Sequence, residues 1–220
     1  MTTTNLAEAY RDAAYTQLVR VGKALGNSSR LKLLNNLVQG PKTVEELAKT
    51  VGLSVGTASK NLQLLKQVGL VRVERRGNYV VYELASAQVP QVLSLLVDVS
   101  EQALPELRAL EQQLSAQRPP LPQLSITDIT RELATGQPYL IDLRPANEYQ
   151  VAHLPGAHNF PYDQIMQRLA EIPRDRELVV YCRGRLCGYS EMIGQQLKDR
   201  GYQVQIFQMT VWEWQQAQAQ

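Results

Sequence analysis

The chain has 220 residues, 44% hydrophobic and 20% charged, which excludes a mostly disordered protein; at roughly 150 residues per typical domain it is one and a half domains long, so two small domains are expected. Its longest apolar runs, such as Leu95-Leu96-Val97, fall far short of the ~20 residues that span a bilayer, and residues 1–30 contain no apolar stretch of the signal-peptide kind, so a cytoplasmic protein without a membrane partner is expected. The net charge of +2 hides a concentration of 10 Lys+Arg against 4 Asp+Glu in residues 21–85, the footprint of a nucleic-acid reader, although a solvated basic face has the same composition.

In chain order, Leu6–Leu25 reads as a helix, and Ser28 or Ser29 is expected to cap the next, Arg30–Val38, which stops at Gly40-Pro41. Thr43 opens a short helix, Val44–Val51, with Glu46 as its capping-box partner. After the turn Gly52-Leu53-Ser54, a second helix runs from Val55 to Val68, and the pair predicts a helix-turn-helix. Two β-rich runs, Val71–Arg75 and Tyr79–Leu84, flank Arg76-Gly77-Asn78 and predict a hairpin, so the unit is a winged helix-turn-helix. In the second helix Val55, Ala58, Leu62 and Leu65 form the expected buried stripe. Thr57, Ser59, Lys60 and Gln63 are left to reach base edges and phosphates, with Arg72, Arg75 and Arg76 on the wing beside them.

Residues 17–84 resemble the ArsR family of winged-helix repressors. The resemblance rests on Ala24-Leu25-Gly26-Asn27-Ser28-Ser29-Arg30-Leu31-Lys32-Leu33-Leu34, Glu46-Leu47-Ala48, Leu53-Ser54, Thr57-Ala58-Ser59-Lys60-Asn61-Leu62 and Gly69-Leu70-Val71. It implies a homodimer that binds a double-stranded, pseudo-palindromic DNA operator and leaves it when an inducer arrives. Metal-sensing members carry thiols in the first helix of the helix-turn-helix, or His and Asp on the final helix. Here no His or Cys precedes His153, so no metal site is expected.

Beyond the wing, Val89–Ala116 reads as mostly helical, broken or kinked at Pro105. Its stripe Leu96, Val99, Ala103, Leu107, Leu110 and Leu114 suits a partner helix or its own domain equally well. The family resemblance favours a dimer interface made with Leu6–Leu25. Gln117-Arg118-Pro119-Pro120-Leu121-Pro122 then predicts an extended spacer, and the boundary between domains 1–118 and 124–220.

The second half alternates strands and helices. A helix is expected over Ile126–Ala134 and strands over Tyr139–Asp142, Ala157–Phe160, Leu178–Tyr181 and Val204–Phe207, with a helix over Tyr189–Arg200 before the last strand. This predicts a small α/β domain with a parallel sheet covered on both faces. Cys182 directly follows the strand Leu178–Tyr181 and precedes a helix, where parallel sheets bind ligands and a helix start favours an anion. In a loop with Arg183, Gly184 and Arg185, its thiol is expected to ionise more readily than that of Cys187, which stands at the rim of the same loop.

Residues 124–216 resemble a single rhodanese domain through Asp142-Leu143-Arg144, Glu148-Tyr149, His153-Leu154-Pro155-Gly156-Ala157-His158-Asn159, Val180-Tyr181-Cys182-Arg183-Gly184, Gly201-Tyr202 and Trp214. The resemblance implies that Cys182 carries a sulfane sulfur as a persulfide, held by backbone N–H groups of residues 183–188. It also implies that Asp142, Arg144 and His153 hold structure. Cys187 stands where many members have Arg, Met209-Thr210 where the family has Gly-Gly before its final Trp helix, and Ala152 where Gly precedes the signature His. These departures argue against thiosulfate turnover, not against sulfur acceptance at Cys182. A related phosphatase would need Arg at Gly188.

Three readings stay open. The preferred one is a DNA-binding transcriptional regulator whose rhodanese domain takes sulfur from a sulfane donor, or passes it to a thiol acceptor, and so modulates operator binding. The second is a rhodanese-type sulfurtransferase with an accessory winged helix. The third is a peroxide or thiol redox sensor in which Cys187 resolves oxidised Cys182. No cofactor is called for in any of them.

Overall fold

The protein is described by a computed structural model covering residues 3–77, 79–114 and 118–219. Asn78 of the expected wing turn, Ala116 at the end of the expected long helix and Gln117 at the head of the proline segment lie outside the described residues. The chain forms two compact units, Met1–Val97 and Asp98–Gln220.

In the first unit α1 (Thr3–Leu25) and α2 (Ser28–Val38) lead through β1 (Lys42–Thr43) to the pair α3 (Val44–Val51) and α4 (Val55–Gln67). The hairpin β2 (Val71–Arg76) and β3 (Tyr79–Leu84) follows, then α5, Gln88–Ala103. Asn27, not either serine, caps α2, its side chain accepting from the Arg30 N–H at 3.2 Å. The Thr43–Glu46 capping box forms as expected, and Gly52 closes α3 in the left-handed conformation at φ 69°. The two-residue β1 was not legible. It pairs antiparallel with β3, making a three-stranded sheet in the order β1-β3-β2. Leu33, Leu34, Leu47, Leu62 and Leu65 are wholly buried at its core, each contributing on the order of 2 kcal/mol. Val55, expected in that stripe, is 47% exposed, because it lies in the first turn of α4, ahead of the packed part of the helix.

In the second unit α6 (Pro105–Leu114) starts afresh after Leu104, with Pro105 in the first helical position, where its missing N–H costs nothing. Then come α7 (Ile126–Thr135), β4 (Tyr139–Asp142), α8 (Ala146–Val151), β5 (His158–Asn159), β6 (Leu178–Tyr181), α9 (Tyr189–Lys198), β7 (Val204–Phe207) and α10 (Val211–Gln218). The four strands form a parallel sheet ordered β5-β4-β6-β7. Alternation along β6 sends Leu178, Val180 and Cys182 to one packed face, with Ile193 and Leu197 of α9, and Val179 and Tyr181 to the other, with Ile129 and Phe207. The proline segment is extended but docked. Leu121 is 2% exposed, the Leu124 N–H donates to the Ile206 carbonyl, and the Ile206 N–H donates to that of Pro122, each at 2.9 Å.

Candidate functional site

Two sets of residues carry chemistry, one in each unit. In the first unit, Ser54 caps α4, accepting from the Thr57 N–H at 3.2 Å, and its hydroxyl lies 2.9 Å from that of Thr57, so Thr57 presents a hydroxyl already engaged at the helix start. Lys60 is exposed and Ser59 half-buried. Gln63 is exposed but donates to the Tyr82 hydroxyl on β3 at 3.3 Å, tying the helix to the wing. Burial pushes the Tyr82 phenol up, and the Gln63 bond offsets part of that. The wing arginines separate. Strand alternation sets Arg72 and Arg76 on one face of β2 and Arg75 on the other. Arg72 pairs with Glu83 across the hairpin and Arg76 with Glu74, both at 2.8 Å, while exposed Arg75 sits opposite Val80 in the register.

Exposed apolar residues mark other faces of this unit: Leu6, Tyr10, Tyr15 and Leu18 on α1, and Val92, Leu95 and Leu96 on α5. Val99, past the unit's end on the same helix, is exposed as well.

In the second unit the loop between β6 and α9 carries both cysteines, and their sulfurs lie 2.9 Å apart as free thiols joined by a sulfur–sulfur hydrogen bond. Cys182 is 2% exposed and Cys187 half-buried. The Cys187 N–H donates to the Gly184 carbonyl at 3.0 Å, so Arg185 and Leu186 are the central residues of a tight turn that ends on Cys187. Gly184 is left-handed, at φ 94°, and a side chain there would meet the Thr210 methyl at 2.8 Å. The loop therefore lies flush on the segment joining β7 to α10.

The order of acidity is the reverse of the expected one. Cys187 is brought down to about 6 by the hydrogen bond it shares with its neighbour thiol, against the opposing effect of burial, with backbone N–H groups of Arg183 and Tyr189 and the Arg183 charge assisting. Cys182 is pushed well above the ordinary thiol value by that same hydrogen bond and by burial. The arginines do not set this order, since each is held by carboxylates. Arg183 is held by Glu148 in a two-pronged pair, Nε to Oε2 at 2.8 Å and Nη2 to Oε1 at 2.9 Å. Arg185 turns to carboxylates instead: Asp98 at 2.5 Å, Glu101 at 2.9 Å and Glu213 at 3.8 Å. The pair thus loses its first proton as a unit, with the charge centred on Cys187 at the start of α9.

Asp142 and Arg144 stand apart from the sulfurs as a wholly buried ion pair, Nη2 to Oδ2 at 2.6 Å, and Arg144 also donates to the Ala152 carbonyl at 2.7 Å. They fix the end of α8. His153 is exposed, with Nδ1 2.9 Å from the Tyr149 carbonyl and its ring stacked on Tyr149 at 4.0 Å. Sequence reasoning quoted Glu148 without giving it a role and passed over Asp98, Glu101 and Glu213. Glu148 could have been found as a carboxylate inside a signature. The other three carry no local signal, because only the fold brings them to Arg185. Among the described residues no group of three or more His, Cys, Asp or Glu side chains is placed to hold a metal ion, and no helix is long and apolar enough to cross a membrane.

Residues 125–217 match the model of the rhodanese-like domain, and residues 25–74 match a helix-turn-helix domain. The chain is 35% identical to the HTH-type transcriptional regulator Rv0324 of Mycobacterium tuberculosis, over 92% of this chain and 88% of that protein. It is also 35% identical to the HTH-type transcriptional regulator NmtR of the same organism, over 40% of this chain and 73% of that one. Among solved structures it is similar to the homodimeric winged helix-turn-helix domain of Mb0332 from Mycobacterium bovis, at 40% identity and a TM-score of 0.42, covering 44% of this chain and 89% of that one.

Proposed function

Because the chain belongs to the ArsR-type winged helix-turn-helix transcriptional regulators that carry a C-terminal rhodanese domain, we propose that it is a sulfane-sulfur sensor whose cysteine pair sets its affinity for a DNA operator. One observation carries the reading: two free thiols 2.9 Å apart in the strand-end loop of a rhodanese-like domain. Residues 1–118 serve DNA binding and dimerisation, through Thr57, Ser59, Lys60, Gln63, Arg72, Arg75 and Arg76 and through the apolar faces of α1 and α5. Residues 124–220 serve the sulfur chemistry, with loop N–H groups stabilising anionic sulfur.

The chemistry follows from the shared proton. When the proton shared across the sulfur–sulfur contact sits on Cys187, the Cys182 thiolate attacks the outer sulfur of a persulfide or polysulfide donor. That forms the Cys182 persulfide and expels the donor's remaining thiolate. Cys187, readily deprotonated again, then attacks Sγ of the persulfide. A Cys182–Cys187 bond forms, the outer S–S bond breaks, and hydrosulfide leaves with the two electrons given up by the thiol pair. Buried Cys182 is the carrier and Cys187 the resolving thiol. In Cys187→Ser the hydrogen bond that raises Cys182 is lost, and Cys182 gives its proton to water instead.

Operator binding measured before and after inorganic polysulfide tests this directly. The parent's affinity should shift, Cys182→Ser should neither gain sulfur nor respond, and Cys187→Ser should hold a persistent persulfide. A Cys182→Ser protein that still responds overturns the reading. Steady-state turnover of thiosulfate and cyanide with unchanged DNA affinity would establish the sulfurtransferase reading instead. A response to hydrogen peroxide with none to polysulfide would establish the redox sensor.

A further inference from the structure

The contacts of Arg185 suggest how the sulfur chemistry leaves the loop, and this inference rests on the sensor reading above. Arg185 is the first corner of the turn 184–187, whose last residue is Cys187. Its guanidinium is met by three carboxylates: Asp98 and Glu101 from the last turns of α5, and Glu213 from the first turn of α10. One positive charge thus holds three negative ones together. Without it they would repel one another across a partly buried space. The Glu101 carboxylate is held there although its Oε1 is buried with no hydrogen-bond partner among the described residues, a cost in free energy that the guanidinium on its Oε2 offsets. Leu114 at the end of α6 marks a second seat, since a side chain at Gly188 would meet its methyl carbons at 3.0 and 3.2 Å. The segment from Asp98 to Leu114 is therefore seated on both sides of Cys187, and all these residues belong to one compact unit.

We propose that Arg185 is the positioning residue that converts the state of the cysteine pair into a change at the C-terminal end of α5. The Gly184 end of the turn is pinned, because the loop lies flush on Thr210 there. When the sulfurs become bonded, or bridged by an added sulfur, the Cys187 end must move and the turn swings about Gly184. Arg185, at its corner, moves with it. The carboxylates of Asp98 and Glu101 then lose their shared cation, and the last turns of α5 loosen. This helix is continuous from Gln88, in the unit that carries the winged helix, to Ala103.

The test uses the full-length protein, inorganic polysulfide as the probe, and the double variant Asp98→Asn/Glu101→Gln, which keeps both cysteines and Arg185. Mass spectrometry should find sulfur added to the cysteines at the parent rate. The ratio of operator affinities before and after treatment should collapse from the parent value to under about twofold. Amide hydrogen exchange over residues 98–103 is a second readout, independent of DNA. It should accelerate on treatment in the parent and not in Cys182→Ser. A double variant that keeps the parent affinity ratio, or unchanged exchange over 98–103 in the treated parent, overturns the coupling and leaves the sensor reading standing. Exchange that accelerates while parent operator affinity stays constant overturns the sensor reading and leaves the clamp as a local one.

Discussion

Arginine does opposite work in the two units. On the wing, Arg72, Arg75 and Arg76 are exposed, and the two that find carboxylates find them on the same hairpin, in water, where such pairs exchange freely. In the second unit, Arg144, Arg183 and Arg185 are buried or nearly so, and each is fixed by carboxylates from another part of the fold or the turn beside it. An exposed arginine keeps its charge available for a polyanion. A buried one has its charge matched and acts through geometry. Two arginines beside Cys182 do not make it the acidic thiol: the Arg183 charge favours the thiolate of both cysteines, and the hydrogen bond between the sulfurs, with burial, decides the order.

The comparison is broken most severely at the buried pair. Asp142→Ala leaves the Arg144 guanidinium buried without its carboxylate and should destabilise the second unit by about 3–5 kcal/mol. Urea unfolding followed by tryptophan fluorescence checks it, since Trp212 and Trp214 both lie in α10. Next comes the thiol pair. Alkylation at Cys187 should reach its plateau above pH 7 and fall as pH drops through about 6, the protonated form being unreactive, so that at pH 5 it is about tenfold slower. In Cys182→Ala the midpoint should move up toward the ordinary thiol value, because the strongest cause of the depression is gone. A midpoint near 9 in the parent would mean that the Cys182 hydrogen bond, the loop N–H groups and Arg183 leave Cys187 unperturbed. On the wing, Arg75→Ala/Arg76→Ala and Lys60→Ala should weaken operator binding and lower its salt slope by about 1 for each phosphate that is no longer neutralised. Denaturation midpoints should barely change.

The architecture was legible where local rules act: the Thr43–Glu46 capping box, the turn at Gly52 and the strand-end placement of Cys182 read directly from neighbouring residues. Asn27 was missed as a cap because two serines compete for the role one position on, and only the backbone geometry decides between them. The wing arginines were read as one group, although strand period separates Arg75 from the other two. The acidity order was not legible, because it depends on the 2.9 Å contact between the two sulfurs and on the burial of each, which only the folded loop sets. The clamp on Arg185 has the same origin: it exists only once the second unit has brought Asp98, Glu101 and Glu213 to one loop.

The smallest effect separates two reasons why Gly184 is needed. Gly184→Ala faces a left-handed backbone, worth about 1–2 kcal/mol of strain for any side chain, and a collision with the Thr210 methyl at 2.8 Å. Thr210→Ser removes that methyl while keeping the hydroxyl that accepts from the Glu213 N–H and caps α10, so alone it should cost under about 1 kcal/mol. Combined with Gly184→Ala it should recover the collision and leave the backbone strain. Denaturation midpoints of the two single variants and the double variant give the coupling energy directly. If the two changes add without coupling, the contact between the cysteine loop and the β7–α10 segment is looser than the 2.8 Å approach implies. Gly184 would then serve as a hinge by its backbone alone, and Arg185 would swing on a pivot that Thr210 does not hold.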